Sequence, residues 1–312
     1  MDFLLLILGL AGLVLGTELT VGGALAIARR YGLPEFIVGL LVLSVGSDLP
    51  ELAVAVDAGI RNLLTGEAAG VVVGSAVGSS VAQISFVLGT AGVLTYLTLP
   101  RRYVYRHGGM LLGATVLLGL FALDGLVSRV EGAALVVVYA MYVVALLARE
   151  EIGDSLEEFG TDGNGLAAWI RLAAGLVVVA LASELTVRSV VGMAKTFGLQ
   201  ETLIAALVIG LGTSLPELAI SVNAVLRKRV SLSVGNIVGS NIFDTLVPIG
   251  TAGLIAPLAF DRGILTFDLP WLFGLTALVL VLFLVRRRGL QRPEAALLLG
   301  LYAGYVTLKL IA

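Results

Sequence analysis

Apolar runs near or above the roughly 20 residues that a helix needs to cross a bilayer core recur along the whole chain of 312 residues. Ten can be placed, at 3–28, 35–60, 68–98, 108–124, 128–148, 167–195, 201–226, 231–259, 265–285 and 293–311. Only 13% of the residues are charged and 58% are hydrophobic, against about a quarter charged in soluble domains. Within a membrane every backbone polar group needs an internal partner, so only helices and closed barrels cross it. The strand alternation of a barrel is missing. The sequence therefore predicts an all-α membrane protein of about ten transmembrane helices. Gly, Ser and Gln interrupt 68–98, which reads as one broken helix plus a tail. The opening MDFLLLILGLAGLVLG lacks a basic leader and runs on past a signal-peptide core, so it reads as a retained first helix.

Charge sets the orientation. The odd-numbered connections carry Arg29, Arg30, Arg101, Arg102, Arg106, Arg149, Arg171, Arg227, Lys228, Arg229, Arg286, Arg287, Arg288 and Arg292; the even-numbered ones carry Arg61, Arg129, Lys195 and Arg262. Basic residues concentrate on the cytoplasmic side, so the odd connections are expected inside and both termini outside, in a plasma (cell inner) membrane. The acidic stretch 150–166 then reads as a cytoplasmic linker. A net charge of −2 gives no support for nucleic-acid binding. The absence of cysteine removes disulfides and thiolate chemistry. The single histidine, His107, sits among arginines and reads as a loop residue near the headgroups. Trp169 and Trp271, near span starts, read as interfacial anchors.

The chain repeats itself. ELTV at 18–21 recurs at 184–187, Gly32-Leu33 recurs as Gly198-Leu199, and GSDLPELA at 46–53 recurs as GTSLPELA at 212–219, all at an offset of 166 residues. GSAVGS at 74–79 then recurs as GNIVGS at 235–240, at an offset of 161. A register held this long marks an internal duplication. Five helices per copy is an odd number, so the copies are inverted: 1–149 and 167–312, joined by 150–166. Inverted repeats with a substrate site at their midplane interface are a design of secondary transporters.

Each repeat sets a carboxylate directly after a proline inside an apolar span, Pro50-Glu51 and Pro216-Glu217. A charge at that depth costs about 2.5 kcal/mol or more and is functional by default. Proline lacks an N–H and clashes with the carbonyl four residues back. Each helix is therefore expected to break, freeing backbone carbonyls at 44–47 and 210–213. Ser47, Thr213 and Ser214 lie in the same turns. Ser79 with Gln83, and Ser240 with Asp244, are spaced i,i+4 and share helix faces; Gly74, Gly78, Gly235 and Gly239 would let helices approach closely there. Ser75, Ser80 and Asn236 suit either ligation or interhelical glue. Carboxylate, carbonyl and hydroxyl oxygens are the hard ligands that calcium or sodium prefers.

GTSLPELA with GNIVGSNIFD resembles the second alpha-repeat of the sodium/calcium exchanger superfamily, and GSDLPELA with GSAVGSSVAQ resembles a diverged first one. The resemblance implies that Glu51 and Glu217 bind calcium. It also implies that sodium occupies overlapping sites lined by Ser47, Thr213, Ser214, Ser79, Ser240 and Asp244, and that the first and sixth helices slide to alternate access. Three departures stand out. Ser47-Asp48 replaces the usual Thr-Ser, which adds a carboxylate; Ser75 and Ser80 replace asparagines; Gln83 replaces a shorter Asn or Asp. Four carboxylates (Asp48, Glu51, Glu217 and Asp244) in one ion-free site would repel one another, so one of them is expected to hold a proton there. That raises proton coupling beside sodium coupling, while the Gly-Asn-x-x-Glu motif of proton-coupled calcium exchangers is missing.

The expected activity is exchange of calcium for a monovalent cation, sodium before proton, with no cofactor and no obligate protein partner. An intramembrane hydrolase would need one acid–base pair on a water, not two inverted copies with hydroxyls. A channel would need a continuous polar path, whereas the polar residues cluster at one depth. For orientation, a Gly160→Cys variant, carrying the only thiol in the chain, should stay unlabelled by an impermeant thiol reagent in intact cells and label after permeabilisation. Labelling from outside would overturn the assignment.

Overall fold

The computed structural model describes residues 2–66, 69–148, 165–196, 212–285 and 289–311. Most of the linker 150–166, the first part of the span 201–226, the Gly198-Leu199 match and Arg286–Arg288 lie outside the described residues. The helices are α1 (Asp2–Arg30), α2 (Glu35–Ser47), α3 (Leu49–Thr65), α4 (Val72–Leu94), α5 (Arg101–Phe121), α6 (Arg129–Leu147), α7 (Gly165–Thr196), α8 (Leu215–Leu226), α9 (Val230–Ile255), α10 (Ile264–Val285) and α11 (Arg292–Ile311). Among the described residues eight helices are long and apolar enough to span a membrane alone, and α2 with α3, bent by 45° at Asp48, makes a ninth span. With the shorter apolar helix α8 as the remaining member, the fold is an all-α membrane protein of two inverted five-helix repeats.

The layering is what a bilayer dictates. α9 is buried along nearly its whole length, including Asn236, Ser240, Asn241 and Asp244, and packs against α2, α3, α4, α6 and α8. The perimeter is greasy: Leu4, Leu8 and Leu15 on α1 and Val130, Val137, Met141 and Val144 on α6 are exposed. On a soluble protein such faces would drive aggregation; here they meet lipid.

α1 and α7 form an antiparallel pair in close backbone contact. Asp2 lies against Gly192 at one end, and Arg30 lies against Gly165 at the other. Between them Gly23 packs on the backbone of Leu172, and Gly175 on that of Thr20. Small residues at such positions bring the helix axes together, which is the main source of helix association in lipid.

The inversion shows at the loops. Leu126–Val127, just before α6, pairs antiparallel with Leu258–Ala259, just after α9. Leu97, just after α4, bridges Leu290, just before α11. Leu97 and Leu258 hold matching places in the two repeats, as do Val127 and Leu290, so the bridges are images of each other. Gly125 (φ 83°) and Gly289 (φ 86°) lead into them with matching left-handed backbones. A side chain at Gly289 would meet the carbonyl of Leu97.

Several sequence expectations change. The segment 68–98 is not broken: α4 widens into a π-helical turn at Gln83–Val87 and continues to Leu94, with the expected tail beyond. His107 is not a loop residue. The helix of the fourth span begins at Arg101, and His107 is buried in its π-helical turn Val104–Gly108, bonded to the Tyr142 hydroxyl at 2.6 Å. Burial of the Phe36, Tyr103 and His107 rings together outweighs the pull of the neighbouring arginines toward water. The second repeat echoes this at Ile264–Asp268, where the Tyr305 hydroxyl donates to Asp268 at 2.7 Å. Arg171 belongs to α7 rather than to a connection, and its guanidinium rests on Gly22.

A Cβ at Gly23 would stand 2.6 Å from the Leu172 nitrogen, whereas one at Gly113 would meet nothing within 4 Å. Gly23→Val should therefore lower the thermal midpoint of the detergent-solubilised protein, consistent with the ~1–3 kcal/mol cost of overpacking. Gly113→Val should leave it within error. Equal midpoints for the two variants would contradict the close contact between α1 and α7.

Candidate cation site

The two proline-glutamate turns adopt the same local structure. Asp48 (φ −91°, ψ 2°) and Ser214 (φ −92°, ψ 6°) each precede a helix with proline in its first turn. Both sit in the sparsely populated bridge region of backbone space. Having no N–H, Pro50 and Pro216 leave the carbonyls of Gly46 and Gly212 without their helical donors. The expected freeing of carbonyls is narrower than the range 44–47. The Asp48 N–H still reaches the Ser44 carbonyl at 3.0 Å, and the Ser47 hydroxyl donates to it at 3.2 Å. Positions 210 and 211 lie outside the described residues.

Hydrogen bonds and charge interactions draw the predicted residues to one depth. Ser47 and Ser240 donate to Asp48 Oδ1 at 3.4 and 3.1 Å. Ser79 and Ser214 meet hydroxyl to hydroxyl at 3.3 Å across the two repeats. Gln83 donates to Ser79 at 3.1 Å and to Asp244 Oδ2 at 3.0 Å. Glu217 lies within electrostatic reach of Asp48, Glu51 and Asp244. Ser47, Asp48, Ser79, Gln83, Ser214, Glu217, Ser240 and Asp244 are buried, whereas Glu51 and Thr213 are half-buried. Among the described residues no three acidic or histidine side chains close on one point as a ready metal cluster.

Five carboxylate oxygens here are buried without a hydrogen-bond partner: Asp48 Oδ2, Glu51 Oε2, both oxygens of Glu217, and Asp244 Oδ1. A buried acceptor left unmatched costs about 1–3 kcal/mol, more when charged. Such a group calls for a partner, and a cation, a proton or an ordered water can each supply one.

A recess of roughly 340 Å³ leads to this cluster from one side. Glu51, Ser75 and Thr213 line it together with Ser183, Glu184 and Val187 of α7. Glu51 and Asp244 also flank a smaller gap beside Ser75 and Pro248. Of the residues suited to either role, Ser75 faces the recess, Asn236 donates to Ser221 at 3.2 Å, and the Ser80 hydroxyl is buried without a partner. Close helix approach holds for Gly235 and Gly239, which pack on the backbones of Phe36 and Leu40; Gly74 has open space beside it.

Sequence reasoning missed Asn241, whose amide donates to Gln83 Oε1 at 3.0 Å and so orients the amide that serves Ser79 and Asp244. It also missed Ser183, buried on the recess wall with no partner. Asn241 stands inside GNIVGSNIFD, three residues from Asp244, where a signal was available.

Comparisons with known proteins bear on the family and the fold. The family model described as sodium/calcium exchanger protein matches residues 1–148 and 167–311. Putative antiporter CaxA of Alkalimonas amylolytica is 30% identical, with 96% of this chain and 95% of that one covered. Inner membrane protein YrbG of Escherichia coli K12 is 31% identical, with 83% and 82% covered. Sodium/calcium exchanger MaX1 of Methanosarcina acetivorans is 27% identical, with 98% and 97% covered. Structures of the sodium-calcium exchanger NCX_Mj share the fold, with a TM-score of 0.83 at 23% identity over 99% of this chain and 98% of that one. The hydrolase reading falls with these matches, and the chain belongs to the sodium/calcium exchanger family, a family of transporters rather than enzymes.

Proposed function

We propose that the protein exchanges calcium for sodium across the membrane by alternating access, with the ions held between Glu51, Glu217, Asp48 and Asp244. The observation that carries this is the set of buried carboxylate oxygens without donors. A hard divalent cation takes six to eight oxygen ligands. Hydroxyls of Ser47, Ser79, Thr213, Ser214 and Ser240, the Gln83 amide oxygen and the Gly46 and Gly212 carbonyls supply neutral ones. The names of the family and of the relative from Methanosarcina favour sodium as the counter-ion.

Exchange rather than leak follows from electrostatics. With calcium or sodium bound, the carboxylates are matched and the site can pass through an occluded state. Without a cation, closing both sides would seal like charges in a low-dielectric interior, and breaking a buried charge balance is strongly unfavourable. The empty carrier is held back, so each crossing needs an ion. α1 and α7, locked backbone to backbone, move as one unit against the rest. In the orientation read from the charge bias, both termini and the recess face the outside, and residues 150–166 lie in the cytoplasm.

A second reading makes the proton the counter-ion. It is favoured by Asp48, an acid standing beside Glu217 where the family pattern has a hydroxyl. The two readings separate in proteoliposomes loaded with calcium. Under sodium coupling an inward sodium gradient drives calcium efflux at clamped pH, and Asp48→Ser retains it. Under proton coupling a pH gradient alone drives efflux, and Asp48→Ser abolishes it.

Glu51→Gln and Glu217→Gln should each reduce calcium flux by about ten-fold or more, since ion affinity follows ligand charge. The ion-free Glu217→Gln protein should melt no lower than the wild type, because an unmatched buried charge has been removed. Near-normal calcium flux in either variant would rule out this site.

A further inference from the structure

Two helix pairs related by the repeat carry a clasp in two copies, and only one copy is fastened. On the side where α1 ends, Asn223 donates to the Thr17 hydroxyl at 3.2 Å, and Arg227 forms an ion pair with Glu18. These contacts bind α1 of the first repeat to α8 of the second. The offset of 166 residues that aligns ELTV and the proline-glutamate turns maps Thr17, Glu18, Asn223 and Arg227 onto Ser183, Glu184, Asp57 and Arg61. The second set therefore sits on α7 and α3, on the opposite side.

There the clasp is open. Ser183, the counterpart of Thr17, is buried with its hydroxyl unpartnered. Glu184 pairs with Arg188 on its own helix, and Arg61 pairs with Asp57 on its own helix at 2.8 Å. The recess lies between the two helices, with Glu184 on one wall and Val54 on the other. Asp57 and Arg61 follow Val54 by three and seven residues, so all three share one face of α3.

We infer that Glu18–Arg227 and Glu184–Arg61 are alternating ion-pair clasps, one closed in each access state, and that Ser183 donates to Asp57 when the second one closes. The inference rests on the alternating access proposed above. In the state described here the Glu18–Arg227 clasp seals one side while the recess opens the other. Movement of α1 with α7 parts Glu18 from Arg227 and carries Glu184 toward Arg61. The copies are unequal. Glu184 and Arg61 each have a partner four residues away when unclasped, whereas Glu18 and Arg227 have no oppositely charged residue three or four positions away. Releasing Glu18–Arg227 leaves two bare charges, so the state with the recess open is the resting one.

The test uses accessibility and cross-linking, which do not require transport. Val187→Cys places the chain's sole thiol on the recess wall. Its labelling rate by an impermeant reagent should fall roughly two- to five-fold when Glu18→Gln or Arg227→Gln is added, the shift that an exposed ion pair supports. Glu18→Gln and Arg227→Gln together should lower the rate no further than either alone. Arg61→Gln should leave it unchanged or raise it. Separately, Glu184→Cys with Arg61→Cys should form a disulfide under mild oxidation, and faster when Glu18→Gln is present. Absence of that disulfide, or labelling indifferent to Glu18→Gln, would overturn the clasps. If the clasps behave as expected but no gradient drives calcium, the proposed cargo is wrong and the clasps stand.

Discussion

Carboxylate oxygens held without hydrogen-bond partners in a lipid-surrounded interior constrain everything else in this protein. Glu217 is fully buried and neither of its oxygens has a partner. Leaving charge unmatched at this depth costs more than most side-chain contacts contribute. Holding those oxygens in place and open to a partner falls to the surrounding structure. The proline turns, the buried α9 and the one-sided recess are the means. Each of the two turns is fixed by a residue in the same bridge conformation, so both repeats present a glutamate with the same backbone geometry.

The sequence announces this arrangement with unusual clarity, because its signals are local. A proline next to a glutamate in an apolar run, twice at one offset, identifies the break and the ligand without knowledge of any contact. Hydroxyls spaced i,i+4 on one helix face follow from helical geometry alone. The spans and the inverted repeat are equally legible, since a bilayer demands length and hydrophobicity that soluble folds do not.

What stayed hidden depends on how helices cross. His107 reads as a surface residue beside three arginines, yet ring packing against Phe36 and Tyr103 draws it inside. The glycine, serine and glutamine content of α4 reads as a break, but the helix absorbs the strain by adding one residue to a turn at Gln83. Asn241 orients Gln83 across an interface between repeats, a relation that no spacing rule contains. Ser183 gains meaning only when the two copies are compared and one is found fastened.

The lengths of α1 and α7 have a consequence of their own. At 29 and 32 residues they extend to roughly 43 and 48 Å at 1.5 Å per residue, well beyond a hydrocarbon core of about 30 Å. A helix of minimum length would drag polar ends into lipid if it shifted along the membrane normal. α1 carries surplus apolar surface at its N-terminal end, where Phe3, Leu4 and Leu8 are exposed. Displacement along the normal then trades one stretch of apolar surface for another at little cost in solvation. Under the sliding proposed for this pair, each ångström of mismatch with the membrane would carry a small free energy that differs between its two positions. Under the same proposal, membrane thickness would then weigh one position of the pair against the other.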